Sequence, residues 1–378
     1  MSYETRRSRI NLFLICFVGC AVVFHLIRIS TNVSSKRVNL LIPTFNTSYS
    51  GISKTLIYKE SIRRPRIASI LTVSPSKRYL FVLPFVVAAW QKLGVEPIVI
   101  VVGDPDKLQK QHQAKLTIEI LIELGAQVHF IQNETTTAPT LSQTSRLFAA
   151  AMPFSKDFSA DDIFITTDAD MIPFHLKNHI PNLLAAQKAY LYNADCISPI
   201  AVPPARGHHK VPQYPMSTIA ATVSTWREIM GFSSTDFDGT SIESYLKVEF
   251  GQDFFHPNDG DKRKLVQHGL IWYADQSLVS YKIHEWFKSN PDNRAATTLT
   301  RGGCYPRIDR IKWPNPKDMP KQNLNLLGDA HVLEDGFIND QWERFRPLID
   351  LVFKGDQYAL LRERFDQYRS DYIAQDCC

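Results

Sequence analysis

From residue 66 onward, apolar and polar positions change their spacing in a regular order. "IASILTV" (67–73) is a short, unbroken aliphatic run bounded by polar residues, which reads as a strand. "KRYLFVLPFVVAAWQKLG" (77–94) has the length of a helix, with Pro84 marking a kink or an irregular start. "PIVIVVG" (97–103) is a second strand, and "PDKLQKQHQAKLTIEILIELG" (105–125) a helix closed by Gly125. "AQVHFIQ" (126–132) is a third strand, "TLSQTSRLFAAAM" (140–152) a helix, and "DIFITTD" (162–168) a fourth strand. Strands alternating with helices predict an α/β domain over 66–378, with a mostly parallel sheet covered by helices on both faces.

The pattern before this domain is different. "INLFLICFVGCAVVFHLI" (10–27) is apolar but for Asn11 and His25, and Arg6, Arg7 and Arg9 precede it. A run of this length suits one membrane-spanning helix. The basic flank stays cytosolic, so the body lies on the far side. The rival, a cleaved signal peptide, has a shorter apolar region ending at small residues. Here "VVFHLIRIS" follows the only small residues, Gly19, Cys20 and Ala21, which favours an uncleaved anchor. The expected organisation is a cytoplasmic tail (1–9), an anchor (10–29), a polar stem (30–65) and the α/β domain.

Composition narrows the partners. A hydrophobic share of 44% and a charged share of 21% exclude a disordered chain and a multi-span membrane protein. A net charge of +5 is mild for 378 residues and argues against nucleic acid. The sequons at Asn32, Asn46 and Asn133 agree with a lumenal body; Asn46 and Asn133 are the candidate acceptors, because Asn32 lies too close to the bilayer. Cys196 and Cys304 can pair in an oxidising lumen, although sequence does not give connectivity. No Cys spacing suits zinc.

The candidate chemistry starts from Asp-x-Asp, which occurs at Asp104/Asp106, Asp168/Asp170, Asp236/Asp238 and Asp259/Asp261. Asp104-Pro105 reads as a helix start. The last two pairs sit in polar segments with no strand before them and read as solvated loops. Asp168/Asp170 alone follows an apolar strand of the parallel series, at the edge where open α/β sheets bind ligands. A strand-end turn rich in Asp is the plain alternative.

An anchor, a stem and a lumenal α/β domain with Asp-x-Asp after the fourth strand resemble a Golgi-type glycosyltransferase of the GT-A superfamily, over roughly residues 66–350. The resemblance implies a type II, hexosyltransferase-like enzyme of the Golgi or endoplasmic reticulum membrane. It would move a sugar from a nucleotide-sugar, a UDP-sugar first, to a glycan, glycoprotein or glycolipid acceptor. It also implies Mn²⁺ or Mg²⁺, oxygen-seeking ions that neutralise the leaving diphosphate. Asp170 would ligate the metal, and Asp168 would contact metal or ribose. Thr72, Asp104, Arg146 and Arg301 complete the expected nucleotide-sugar set. Asp275, before "QSLVSYKI", stands where such enzymes place a general base; as a helix N-cap it needs no catalytic role. His331 in "LNLLGDAHVLEDGF" is the C-terminal metal-ligand candidate, or an ordinary hydrogen-bonded histidine.

Between them, "RGGCYPRIDRIKWPNPKDMPKQ" (301–322) carries six basic residues against two acidic ones. It reads either as a loop closing on the diphosphate or as a solvated connector. Trp226 or Trp272 could stack on a sugar, although core burial is the commoner fate of tryptophan. Retention or inversion stays open. Three rivals stand. A haloacid-dehalogenase-type phosphatase wants Thr or Val where Ile172 stands and follows its first strand, not its fourth. A nucleotidyltransferase fits poorly with a lumenal anchor. A membrane-anchored sugar-binding pseudoenzyme shares the fold without turnover.

In sealed microsomes the body should resist added protease while the extreme N-terminus is clipped. Mature protein starting near residue 30 would identify a cleaved signal instead.

Overall fold

The computed structural model describes residues 64–132, 136–182, 185, 187–194, 196–252, 271–300 and 306–374. The apolar run, the stem up to residue 63, Asn46, Asn133 and Arg301 lie outside them, and no described helix is long and apolar enough to cross a membrane. The strands are β1 (Ile67–Val73), β2 (Glu96–Val102), β3 (Gln127–Ile131), β4 (Ile163–Thr167), β5 (Met171–Pro173), β6 (Ala189–Leu191), β7 (Ile200–Ala201), β8 (Lys210–Val211), β9 (Thr218–Thr222), β10 (Thr297–Leu299) and β11 (Asp329–His331). The longer helices are α1 (Lys77–Lys92), α2 (His112–Glu123), α3 (Ala138–Ser145), α4 (Val223–Met230), α5 (Gly239–Phe250), α6 (Ala274–Ser289), α7 (Asn339–Val352) and α8 (Ala359–Ile373).

Seven strands form one sheet in the order β10-β6-β9-β4-β1-β2-β3, with β9 antiparallel to both its neighbours and the other pairings parallel. The chain therefore builds outward from β1 through β2 to β3, then returns to place β4 on the other side of β1. That reversal leaves a crevice at the carboxyl ends of β1 and β4, the usual ligand position in open α/β sheets. Side chains alternate between the two faces as the two-residue period requires. Leu71, Val73, Val99, Val101, Ile163 and Ile165 join a core with α1, α2, α7 and α8. Ala68, Ile70, Ile98, Ile100, Val102 and Phe164 join a second core with α3 to α6. A two-stranded antiparallel sheet, β5 with β11, sits apart from the main one.

Two expected helices differ in detail. The run 105–125 divides into Pro105–Leu108 and α2, and 140–152 is α-helical only to Ser145, continuing as a 3₁₀ segment from Arg146 to Ala151. Asp104 caps the short helix by accepting from the Asp106 N–H at 2.9 Å. Asp238, expected as a solvated loop residue, caps α5 through the Ser241 N–H at 2.8 Å. Both follow from the affinity of Asp side chains for the unpaired N–H groups of a first helical turn.

Pro84 lies inside α1, which continues through it. A proline has no N–H, so the Leu80 carbonyl one turn earlier loses its helical partner. The Tyr368 hydroxyl on α8 donates to that carbonyl at 3.3 Å, with Thr117 Oγ1 of α2 2.9 Å away. The Tyr368 ring stacks on Phe81 with centroids 5.6 Å apart. The defect in α1 thus becomes a docking point for the C-terminal helix. Tyr368→Phe should cost about 1–3 kcal/mol in urea unfolding, the penalty for an unpaired buried polar group. In a Pro84→Ala background the same change should cost less, because an alanine at that position supplies the missing N–H. Equal costs in the two backgrounds would show that the hydroxyl does not serve this carbonyl.

Candidate active site

Strand β4 is buried along all five residues and ends where its neighbours leave the crevice open. Asp168 and Asp170 follow directly and line a cavity of about 240 Å³. Thr72 and Ser74 from the end of β1, Arg146, Trp272, Asp275, Arg310 and His331 share this lining. Of the expected site residues, Thr72, Arg146, Asp168, Asp170, Asp275 and His331 are therefore brought together, whereas Asp104 is not among the lining residues.

Arg146 organises one wall. It begins the 3₁₀ segment after α3, and its side chain is 7% exposed. Nη1 donates to Asp168 Oδ1 at 2.6 Å, and Nη2 donates to Asp275 Oδ2. Its own pKa is raised: burial opposes the charge, but the two carboxylates outweigh it. Burial would likewise raise Asp168, yet the Arg146 charge and hydrogen bond hold that carboxyl below its ordinary value. Asp275 is raised by burial, with Arg146 opposing. Asp275 is not the helix cap: Tyr273 holds that position, and Asp275 lies in the first turn of α6 with Oδ1 accepting from the Gln276 N–H at 2.8 Å.

The opposite wall is assembled from the far end of the chain. β11 pairs with β5 so that His331 lies opposite Met171, and the Val332 N–H donates to the Asp170 carbonyl at 2.9 Å. This backbone pairing brings His331 Nε2 to 3.5 Å from Asp170 Oδ2. The segment carrying Arg310 is tied alongside: Ile308 bonds Asp329 and His331 through the backbone, and Arg307 Nε lies 3.0 Å from Asp329 Oδ1. Asp329 is fully buried, which pushes its carboxyl up to about 6 against the opposing Arg307 charge. Arg310 Nη2 donates to Asp170 Oδ2 at 2.8 Å and meets His331 Nε2, while Nη1 donates to Glu334 Oε1 at 2.9 Å. Burial raises the Asp170 carboxyl, the Asp168 charge adds to this, and His331 and Arg310 oppose it.

Among the described residues there is no group of three or more His, Cys, Asp or Glu side chains that could hold a metal ion. Asp170 and His331 nevertheless have the spacing of two neighbouring ligands of one ion, whose bonds are about 2.0–2.2 Å. A carboxylate oxygen and an imidazole nitrogen are donors that suit a divalent cation. The two tryptophans divide cleanly. Trp226 is core, its Nε1 donating to the Phe164 carbonyl at 3.0 Å, whereas Trp272 is 58% exposed and lines the cavity. Cys196 is disulfide-bonded, with its partner outside the described residues.

Sequence reasoning placed Arg310 only within a basic run. Its pairing with Asp170 spans 140 residues, and no local pattern signals it. Tyr79, Ser142 and Gln143 also line the cavity, and no sequence pattern marks them, because each is an ordinary residue for its helix.

Removing Arg146 should unfold the wall it holds. Arg146→Met leaves the buried Asp275 carboxylate and the half-buried Asp168 carboxylate without their partner, and the loss at neutral pH should be about 3 kcal/mol, the low end for a broken buried pair. Neutral carboxyls need no guanidinium, so the loss should shrink as pH falls and they protonate. A deficit in denaturant stability that does not change with pH would show that the carboxylate charges are not what Arg146 serves.

No family model and no curated protein matches the chain. Among solved structures it is similar to the glycosyltransferase GlyE of Streptococcus pneumoniae TIGR4, at 11% identity and a TM-score of 0.34, over 81% of this chain and 64% of that one. It is similar to the bifunctional glycosyltransferase WbbM, at 8% identity and a TM-score of 0.32, over 80% of this chain and 52% of that one. The mannosyltransferase PcManGT from Pyrobaculum calidifontis, in complex with GDP-Man and Mn²⁺, is similar at 12% identity and a TM-score of 0.28, over 84% and 87% of the two chains. The chain thus spans less than two thirds of the length of GlyE and of WbbM. At TM-scores this low the likenesses carry no functional argument.

Proposed function

We propose that the protein is a glycosyltransferase of the GT-A type that transfers a sugar from a nucleotide-sugar, a UDP-sugar first, to a glycan or glycoconjugate acceptor. One observation carries this reading. Two carboxylates leave the carboxyl end of β4 at the reversal of the sheet, and they face a third carboxylate across one small polar cavity. Carboxylates at a sheet switch point suit a phosphorylated donor that would enter together with a divalent cation.

The roles follow from position. Thr72 and Ser74 at the end of β1 offer hydroxyls to the nucleotide. Asp168 is held in one orientation by Arg146 and contacts the donor. Asp170 and His331 would hold Mn²⁺ or Mg²⁺, and a cation bound there would supply positive charge to the departing diphosphate. Asp275 is the general base for the acceptor hydroxyl. An ionised carboxylate has about four acceptor positions; Arg146 and the Gln276 N–H take two in this structure, so capacity remains. Its raised pKa moves it toward the range a base needs at neutral pH. Exposed Trp272 at the cavity offers an aromatic face to a sugar ring. The N-terminal anchor would place this site in the lumen of the Golgi or endoplasmic reticulum, with Asn46 and Asn133 open to glycosylation.

The test is a screen of the purified full chain in detergent against sugar nucleotides, with Mn²⁺ present, following release of free nucleotide. Turnover is expected with at least one donor, and Asp275→Asn should lower kcat by about 10²–10⁴-fold while leaving nucleotide affinity near wild type. Tight nucleotide-sugar binding without hydrolysis or transfer would identify a binding protein. Full kcat in Asp275→Asn would remove the base from this position and point to a mechanism without a protein base there.

A further inference from the structure

The place that a divalent cation would take, between Asp170 Oδ2 and His331 Nε2, is held by the Arg310 guanidinium: Nη2 contacts both donor atoms. An ion bonded to both donors at about 2 Å would overlap that nitrogen. It would also set a double charge against a single one at contact distance, where the two repel. We propose that Arg310 and a divalent cation are alternative occupants of this one place, so that the free protein binds metal poorly and takes it up together with a diphosphate.

Three further observations support exchange. First, Arg310 is not locked in: its side chain is 22% exposed, against 7% for Arg146. Second, it has somewhere to go. Nη1 already bonds Glu334 Oε1 at 2.9 Å, and the Glu334 side chain is 53% exposed. A guanidinium released from Asp170 keeps that partner. Third, the cavity is short of positive charge. Asp168, Asp170 and Asp275 face only Arg146 and Arg310 among its lining residues, three carboxyl groups against two guanidiniums. A diphosphate entering alone would deepen this deficit. A divalent cation entering with the diphosphate offsets most or all of its charge and frees Arg310 to form a charge-assisted bond to phosphate oxygen. The exclusion itself needs no nucleotide; only the coupling rests on the donor assignment.

The experiment measures Mn²⁺ uptake by electron paramagnetic resonance of the free ion, on the full chain in detergent, with and without UDP. Arg310→Gln should bind Mn²⁺ without UDP about tenfold or more tightly than wild type, the scale of one lost charge-assisted hydrogen bond. Adding Asp170→Asn should abolish that gain. Arg78→Gln is the control, because Arg78 also pairs with Glu334, at 2.9 Å, and removes one nearby charge without touching Asp170 or His331. Wild type binding Mn²⁺ alone as tightly as Arg310→Gln overturns the proposal, and so does an equal gain in Arg78→Gln. In wild type, UDP should raise Mn²⁺ uptake. If UDP has no effect while Arg310→Gln still gains Mn²⁺, the exclusion stands and the nucleotide assignment fails.

Discussion

The Arg146 guanidinium, bonded to Asp168 on one side and Asp275 on the other, is the contact on which the site depends. Two carboxylates brought to one cavity repel, and each is costly to bury while charged. A guanidinium stays protonated at any ordinary pH and presents its donors in a rigid plane. One such group can therefore neutralise both carboxylates and fix their directions together. The bond to Asp168 spans 22 residues and the bond to Asp275 spans 129, so the end of β4 and the start of α6 are positioned relative to each other through a single side chain. Compared with an apolar filling of the same space, such a triad adds little net stability. What it gains is position.

The second constraint is backbone pairing far from the main sheet. β5 and β11 are each only three residues long, yet their antiparallel register decides which residue lies beside Asp170. A shift of one residue would turn His331 to the other face. The buried Arg307–Asp329 pair and the backbone bonds of Ile308 hold the neighbouring segment against β11, and Arg310 follows from that placement. The two arginines at the cavity thus differ in kind. Arg146 is enclosed and serves residues of the fold, while Arg310 reaches the rim and holds Glu334 as well.

Much of the architecture was legible in the chain. The apolar runs at 67–73, 97–103 and 163–166 became central strands, because β-branched and aliphatic residues in short blocks fit a sheet covered on both faces. Asp104-Pro105 became a capped helix start, since that signal is local. The helix expected over 105–125 broke at 109–111, and the one over 140–152 tightened to 3₁₀ after Ser145; single-residue propensities do not resolve such changes. Pro84 shows the limit well. Sequence marks it as a defect in a helix, but its compensation by Tyr368 depends on a residue 284 positions later.

What the sequence determined by itself is therefore periodic or adjacent: alternating strands and helices, the carboxylate pair at the end of β4, the basic run at 301–322 and the apolar stretch near the N-terminus. Tertiary structure alone decided which charges meet. Asp170 gained His331 and Arg310 through strand pairing, Asp168 and Asp275 gained a common partner through the packing of α3 against α6, and Asp275 proved to be a first-turn residue and not a cap. The physical reason is range. Hydrophobic period and capping act within one or two turns of the chain and leave a local imprint, whereas an ion pair across a cavity is specified by where two distant backbones end.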